Sequence, residues 1–372
     1  MIDMSSCELS VILEKIVDEL SITNTMQNKA ISGYNAVGKC LSDDLKQEIH
    51  IYPQGSMALG TIVRPISDKD EYDIDLVCLI KEGSSLEAKD IKHLVGNSLK
   101  NNVRYNDMLK KEGKRCWTLN YEEFHMDILP AVIDDMKTQK IRLTHTDDYK
   151  TYSDKYSNPI EYREWFLQQM LKGQISEQVG IEARSKVDEV PIYRQSGNLQ
   201  KIVKLLKRHR DIMFDGMEQK PISIIITTLA GMAYQGNLSL YDELKNILIH
   251  MTDFIKKSDG SYIIRNPVEN DENFADKWNV DEDRAKQFFR WIEQAQNDFL
   301  DIEVGLDEVF RLWGKSLGES MINRAVKKYA LEYKNARNDG RLYANSTAGL
   351  TIGATNANAS KVQPHTFFGI EE

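Results

Sequence analysis

Apolar positions recur at helix-like intervals from about Ser6 to Leu41: Leu9, Val11, Ile12, Ile16, Val17 and Leu20, continued by Tyr34, Val37 and Leu41. This spacing predicts a long N-terminal helix. The pattern then shortens. Glu48 to Tyr52 reads as a strand stopped by Pro53, and Tyr72 to Ile80 as a second strand, alternating at first and then continuously apolar. Leu86 to Leu99 returns to helical spacing. Cys116 to Tyr121, Phe124 to Val132 and Lys140 to Thr144 read as further strands, so an α/β unit is expected over residues 1–155.

Past a cluster of Tyr, Ser, Asp, Asn and Pro near residues 150–160, helical patterns dominate. They cover Ile160 to Leu171, Leu199 to Met213, Ile222 to Tyr234, Leu240 to Lys256, Asp281 to Phe299 and Leu306 to Tyr333. Asn266 to Trp278 reads as a loop followed by a helix that Trp278 anchors. These elements predict a helical lobe over 156–334. From about Asn335 the chain is rich in Asn, Ala, Gly, Ser and Thr, too polar to offset its ordering entropy, which predicts a flexible tail over 335–372. Near its end, His365-Thr366-Phe367-Phe368-Gly369 is apolar and reads either as a fraying terminus or as a peptide docked on this protein or a partner.

Composition narrows the setting. With 372 residues and 41% hydrophobic content the chain can build two domains of ordinary size. No run approaches the ~18 apolar residues of a membrane span. No basic-then-apolar leader opens the chain, so the cytoplasm is the expected compartment. Cys7, Cys40, Cys78 and Cys116 form no CxxC pair and are expected as reduced, buried positions without zinc. The net charge of −9 argues against a protein that coats long nucleic acid, and leaves small polyanions open where basic groups concentrate.

The candidate chemistry lies in PQGSMALGTIVRPISDKDEYDIDLV, from Pro53 to Val77. Asp73 and Asp75 are two apart in a predicted strand, so both carboxylates leave one face while Ile74 and Leu76 point into the core. Adjacent carboxylates repel unless a cation lies between them, and oxygen-only ligands suit magnesium. Asp127, between Met126 and Ile128 in another apolar strand, needs a partner. If the two strands are neighbours it completes a three-carboxylate cage for two ions, manganese being the alternative to magnesium, and it is then the acid nearest an attacking hydroxyl. A DxD pair alone is common in exposed strands and turns. Gly55 and Ser56, directly after a strand, add a site where backbone can approach a phosphate closely, and Met57 to Leu59 can open a helix with its amides toward it.

QGSMALGT, DEYDIDLV and HMDILPA together resemble the polymerase β nucleotidyltransferase superfamily. More closely, from about residue 30 to 330, the chain resembles the bacterial cGAS/DncV-like nucleotidyltransferases (CD-NTases), which make cyclic oligonucleotide signals in antiphage defence (CBASS). The resemblance implies an α+β, bilobed polymerase β-like fold with a mixed-sheet catalytic lobe, a helical second lobe and a spine helix bracing both. It implies metal ligation by Asp73, Asp75 and Asp127, nucleotide contacts from Gln54, Gly55 and Ser56, and substrates such as ATP and GTP joined into a cyclic di- or trinucleotide.

The helix LQKIVKLLKRHRDIMF carries the remaining candidates. Leu199, Ile202, Val203 and Leu206 share one face, and Lys201, Lys204 and Arg208 fall opposite, reading as a solvated surface. Lys207 on the flank reads as a phosphate ligand, and Arg210, on the apolar side, as half of an ion pair. Pro221 and Ser223 fit a helix start, where Ser223 reads as a cap. In animal cyclic GMP-AMP synthases a helix lysine and a later serine hold the donor triphosphate, and the matching positions are Lys207 and Ser223. The aromatic residue that follows that serine there is Ile224 here, and the animal zinc insertion has no counterpart.

Two other classes fit the same residues. One is transfer of nucleotides to an RNA end or a protein hydroxyl, which the acidic balance disfavours. The other is a non-catalytic nucleotide-binding scaffold, which would need no carboxylate cage. Some family members have C-termini conjugated or recognised by partner proteins, so a regulatory partner at the tail is a further expectation.

Overall fold

The computed structural model describes residues 6–67, 71–172, 187–191, 197–300, 302, 304–345, 349–353 and 359–363. The N-terminal apolar pattern forms two helices instead of the single one expected: α1 (Ser6–Leu20) and α2 (Asn24–Asp44). Thr23 breaks them, because its side chain accepts a hydrogen bond from the Met26 amide and caps α2. The first lobe continues with β1 (Ile49–Gln54), α3 (Gly55–Leu59), β2 (Tyr72–Ile80), α4 (Ala88–Asn101), α5 (Val103–Met108), β3 (Trp117–Asn120), β4 (Phe124–Asp135), β5 (Lys140–His145) and β6 (Ser153–Ser157).

These strands form one mixed sheet in the order β1-β2-β4-β5-β6, with β3 also on β4. β2 and β4 run parallel; all other pairs are antiparallel. Pro53 does not stop β1. It lies inside the strand opposite Leu76, which an outer strand of the sheet tolerates because a missing N–H can face outward.

Residue parity sorts the two faces. Ile74, Leu76, Cys78, Met126 and Ile128 face α2 and α4 and form one core with Tyr34, Val37, Ile91 and Val95. Val77, Leu79, Leu129 and Ala131 point the other way, into a small cluster with Tyr52, Ile141 and Leu143. Asp73, Asp75 and Asp127 have the parity of this second face. Of the cysteines, Cys78 is buried as expected, whereas Cys7 is exposed and Cys40 and Cys116 are half-buried; all four are free.

The second lobe is built from α6 (Pro159–Met170), α7 (Asn198–Met213), α8 (Ser223–Ala233), α9 (Leu240–His250), β7 (Lys256–Ser258), β8 (Ser261–Ile263), β9 (Arg265–Asn266), β10 (Glu269–Asn273), α10 (Glu282–Phe299), α11 (Leu306–Leu317) and α12 (Glu319–Asn338). The expected helix 240–256 ends earlier, in a 3-10 turn and the β7–β8 hairpin. Gly318, at φ +109°, divides the last helical pattern into α11 and α12. The segment Asn266 to Trp278 is a strand pair and one 3-10 turn, with Trp278 buried.

α7 runs through the middle of this lobe. Every residue from Leu199 to Arg210 except Lys201 is buried, so the expectation of a solvated basic face is corrected. α1 packs over that face: Lys201 pairs with Glu14 at 2.6 Å, and Lys204 donates to Ser21 Oγ at 3.1 Å. Arg208 donates to the carbonyls of Arg64 and Pro65. α1 thus belongs to the helical core, and Glu19 ties it to Arg324 and Lys328 of α12.

Of the tail, β11 (Leu342–Asn345), β12 (Gly349–Ile352) and β13 (Ser360–Lys361) form a small antiparallel sheet. His365 to Gly369 lie outside the described residues. Among the described residues, no helix is long and apolar enough to cross a membrane.

Candidate active site

The parallel pairing of β2 with β4 puts Asp75 directly beside Asp127, and Asp73 beside His125. On its other side Asp75 pairs with Gln54, the last residue of β1. All three carboxylates therefore occupy one patch of one face. Thr118 on β3 lies opposite Asp127 and donates to its Oδ1.

The chain turns sharply after Gln54. Gly55 has φ +59°, and a Cβ there would lie 2.5 Å from Asp75 Oδ2. Only glycine lets the α3 backbone come this close to the carboxylate. Gln54 Oε1 is buried without a hydrogen-bond partner, a polar atom held ready for one.

The electrostatics are those of crowded acids. Burial, then Asp127 and Asp73, push the Asp75 carboxyl up to about 7, with Lys207 opposing. Asp73 is raised by burial in the cleft and next by Asp127, although its own side chain is 76% exposed to the open mouth. His125 pairs with Glu71 and stands 3.9 Å from Asp73.

Across from the sheet stands α7. Lys207 is buried, donates to the Thr61 carbonyl at 2.9 Å, and is pulled down to about 8 mainly by burial and next by Arg210. Arg210 meets its expected anion, Asp211, at 2.6 Å. It also donates to the Pro221 carbonyl at 3.0 Å and to Ser223 Oγ at 2.8 Å. Ser223 is the first residue of α8 and makes no cap bond, so the cap reading is corrected: Arg210 claims its hydroxyl.

These groups surround a cavity of about 1560 Å³ between the lobes. Gln54, Gly55, Ser56, Asp73, Asp75, Lys207 and Ser223 all line it. Asp127 does not; it sits beside Asp75 on the next strand, with its side chain bonded to Thr118. The cavity also recruits residues with no local sequence signal, among them Lys220, Tyr156, Asn266 and Glu272. They come from loops and short strands far apart in the chain.

The donors at the carboxylate patch are oxygens, the kind that magnesium takes. Among the described residues no three His, Cys, Asp or Glu side chains are gathered closely enough to hold an ion as they stand. The shared face and the orphaned Gln54 oxygen fit a cation, and the glycine turn leaves room for a phosphate beside it; Thr118 bonds only one of the two Asp127 oxygens.

A family model described as a second messenger oligonucleotide or dinucleotide synthetase domain matches residues 8–169. The c-di-GMP synthase of Roseivirga ehrenbergii is 29% identical, over 97% of each chain. The cyclic dinucleotide synthase CdnG of Bradyrhizobium diazoefficiens is 24% identical, over 86% of this chain and 83% of that one. The structure of CdnG in complex with GTP superposes with a TM-score of 0.68 at 20% identity, over 87% of this chain and 99% of that one.

Proposed function

We propose that the chain, which is similar to cyclic dinucleotide synthases over most of its length, is a bacterial cGAS/DncV-like nucleotidyltransferase that joins two molecules of GTP into a cyclic dinucleotide, releasing two molecules of pyrophosphate. The observation that carries the reading is the strand register. Asp75 lies beside Asp127, with Asp73 two residues away on the same face, at a cavity shared with Gly55 and Lys207. GTP is the substrate we favour because one relative is named a c-di-GMP synthase and another binds GTP.

In this reaction a ribose hydroxyl of one nucleotide attacks the α-phosphorus of the other. An O–P bond forms, the bond to pyrophosphate breaks, and the hydroxyl proton passes to a carboxylate of the cluster. The same step repeated, with a hydroxyl of the second nucleotide attacking the remaining α-phosphorus of the linear intermediate, closes the ring and releases a second pyrophosphate. Asp73, Asp75 and Asp127 would hold two magnesium ions, which supply charge neutralisation at the phosphates and acidify the hydroxyl. The residues of the chain do the positioning. Gly55 keeps the α3 backbone against Asp75, and Ser56 offers a hydroxyl to a phosphate oxygen. Lys207 lies close enough for Asp75 and Asp73 to feel its charge, and exchanges its bond to the Thr61 carbonyl for one to triphosphate. Arg210 keeps Ser223 oriented at the cavity wall.

Magnesium as the ion, the cytoplasm as the compartment, antiphage signalling as the purpose and a regulatory partner at the tail are parts of the same proposal. Incubation of the protein with the four ribonucleoside triphosphates and magnesium, followed by mass spectrometry, tests it. A phosphatase-resistant product of the mass of a cyclic guanine dinucleotide, formed without added acceptor, is expected. Pyrophosphate release only in the presence of RNA or protein would instead favour transfer to a macromolecular hydroxyl.

A further inference from the structure

The cavity continues from the carboxylate patch to a wall formed by β6 and the β9–β10 pair, where Tyr156, Ser157, Asn266 and Glu272 face it. The ladder on that wall is irregular. Glu269 pairs with Asn266, but the next pair is Asn273 with Arg265, so three residues of β10 have no opposite number. A bulge of this kind bends a strand and re-aims its side chains. Here it presents Glu272 to the cavity.

Glu272 is held firmly on one side. Asn266, only 2% exposed, donates to its Oε2 at 2.7 Å, and the Ser157 hydroxyl lies 3.5 Å from the same oxygen. Burial raises the Glu272 carboxyl above its ordinary value, and the Asn266 bond and the charge of Arg115 oppose that shift. The Asn266 and Ser157 contacts fall on Oε2 and, among the described residues, leave Oε1 without a hydrogen-bond donor on a side chain that lines the cavity. The other acids of the lining are committed or loose. Outside the carboxylate patch, Glu71 pairs with His125, Asp154 with Arg142 and Asp211 with Arg210, while Asp215, Asp271 and Asp276 are exposed.

A positioned carboxylate only accepts hydrogen bonds. The Watson–Crick edge of guanine offers it two adjacent donors, the ring N1–H and the 2-amino group. Adenine presents a lone pair at N1 in the same place, which a carboxylate repels. A site built to bond a particular N–H rejects an analogue that lacks it. We propose that Glu272, oriented by Asn266, selects guanine by accepting from N1–H and the 2-amino group of a bound GTP. This rests on the reading of the cavity as a GTP site.

The test compares wild type, Glu272→Gln and Glu272→Ala for binding of non-hydrolysable GTP and ATP analogues by calorimetry, and for pyrophosphate release from each triphosphate. Wild type should favour GTP over ATP. In Glu272→Gln, whose amide can both donate to adenine N1 and accept from its 6-amino group, that preference should fall at least about tenfold. Glu272→Ala should lose GTP affinity without gaining ATP. An unchanged GTP-to-ATP ratio in both variants, or a wild type with no preference, overturns the assignment. A wild type that binds GTP selectively yet releases no pyrophosphate from any triphosphate overturns the proposed reaction instead, and the binding ratios still decide the role of Glu272.

Discussion

A Cβ on residue 55 would sit 2.5 Å from Asp75 Oδ2, on a backbone already at φ +59°. Gly55→Ala therefore has two costs: a left-handed backbone worth about 1–2 kcal/mol to an L residue, and a collision with a central carboxylate. We expect pyrophosphate release to drop by at least about a hundredfold, because misplacement of reacting groups by an ångström is that costly. Circular dichroism should still report a folded chain. Activity within a few-fold of wild type would show that the close approach has no role. Gly55 and the three aspartates were legible in the sequence because their signal is local: a glycine after a strand, and carboxylates at strand positions of equal parity. Glu272 and Asn266 were not. Their meaning comes from a register slip and a buried amide, neither of which leaves a pattern along the chain.

At the scale of elements, helix and strand positions followed apolar periodicity closely, and the misses share a physical cause. The pattern across Ser21 to Thr23 stays helix-like, so only the capping hydroxyl of Thr23 reveals the break. For α7, periodicity identifies the apolar stripe but says nothing of what covers the other face, and α1 covers it. Lys204 is thereby buried, and burial lowers its amine to about 8. A lysine with a folded pKa below its unfolded value near 10.5 destabilises the fold at pH values below 8. That penalty is relieved as pH rises from about 8 toward 10.5. Lys204→Met should raise stability at pH 7 by about 1–2 kcal/mol and remove part of the gain that wild type shows on alkalinisation. Chemical denaturation at pH 7 and pH 9.5 checks this; a variant less stable at pH 7 would mean that the bond to Ser21 outweighs desolvation. In the first lobe, α4 touches the sheet so closely at Gly96 that a Cβ would lie 2.2 Å from the Trp117 ring. Gly96→Ala should lower stability by about 1–3 kcal/mol, since the buried indole has no room to retreat. A melting temperature equal to that of wild type would contradict it.

At the scale of the whole molecule, the site exists because two lobes with separate cores meet across one cavity. The sheet brings the acids and the glycine turn, and α7 brings Lys207 and, through Arg210, Ser223. The bilobed α+β plan could be read from the shift between strand and helical patterns near residue 150, but the distance between Asp75 and Lys207 along the chain could not reveal that their charges interact. The account turns on the carboxylate patch, and one measurement addresses it most directly: pyrophosphate release from GTP by Asp75→Asn beside wild type, with thermal melting of both. Asparagine keeps the shape and removes one of three mutually repelling charges, so the variant should melt no lower than wild type without metal. Its turnover should fall by about a thousandfold or more. Turnover equal to wild type in a folded Asp75→Asn protein would contradict the claim that these aspartates perform the reaction.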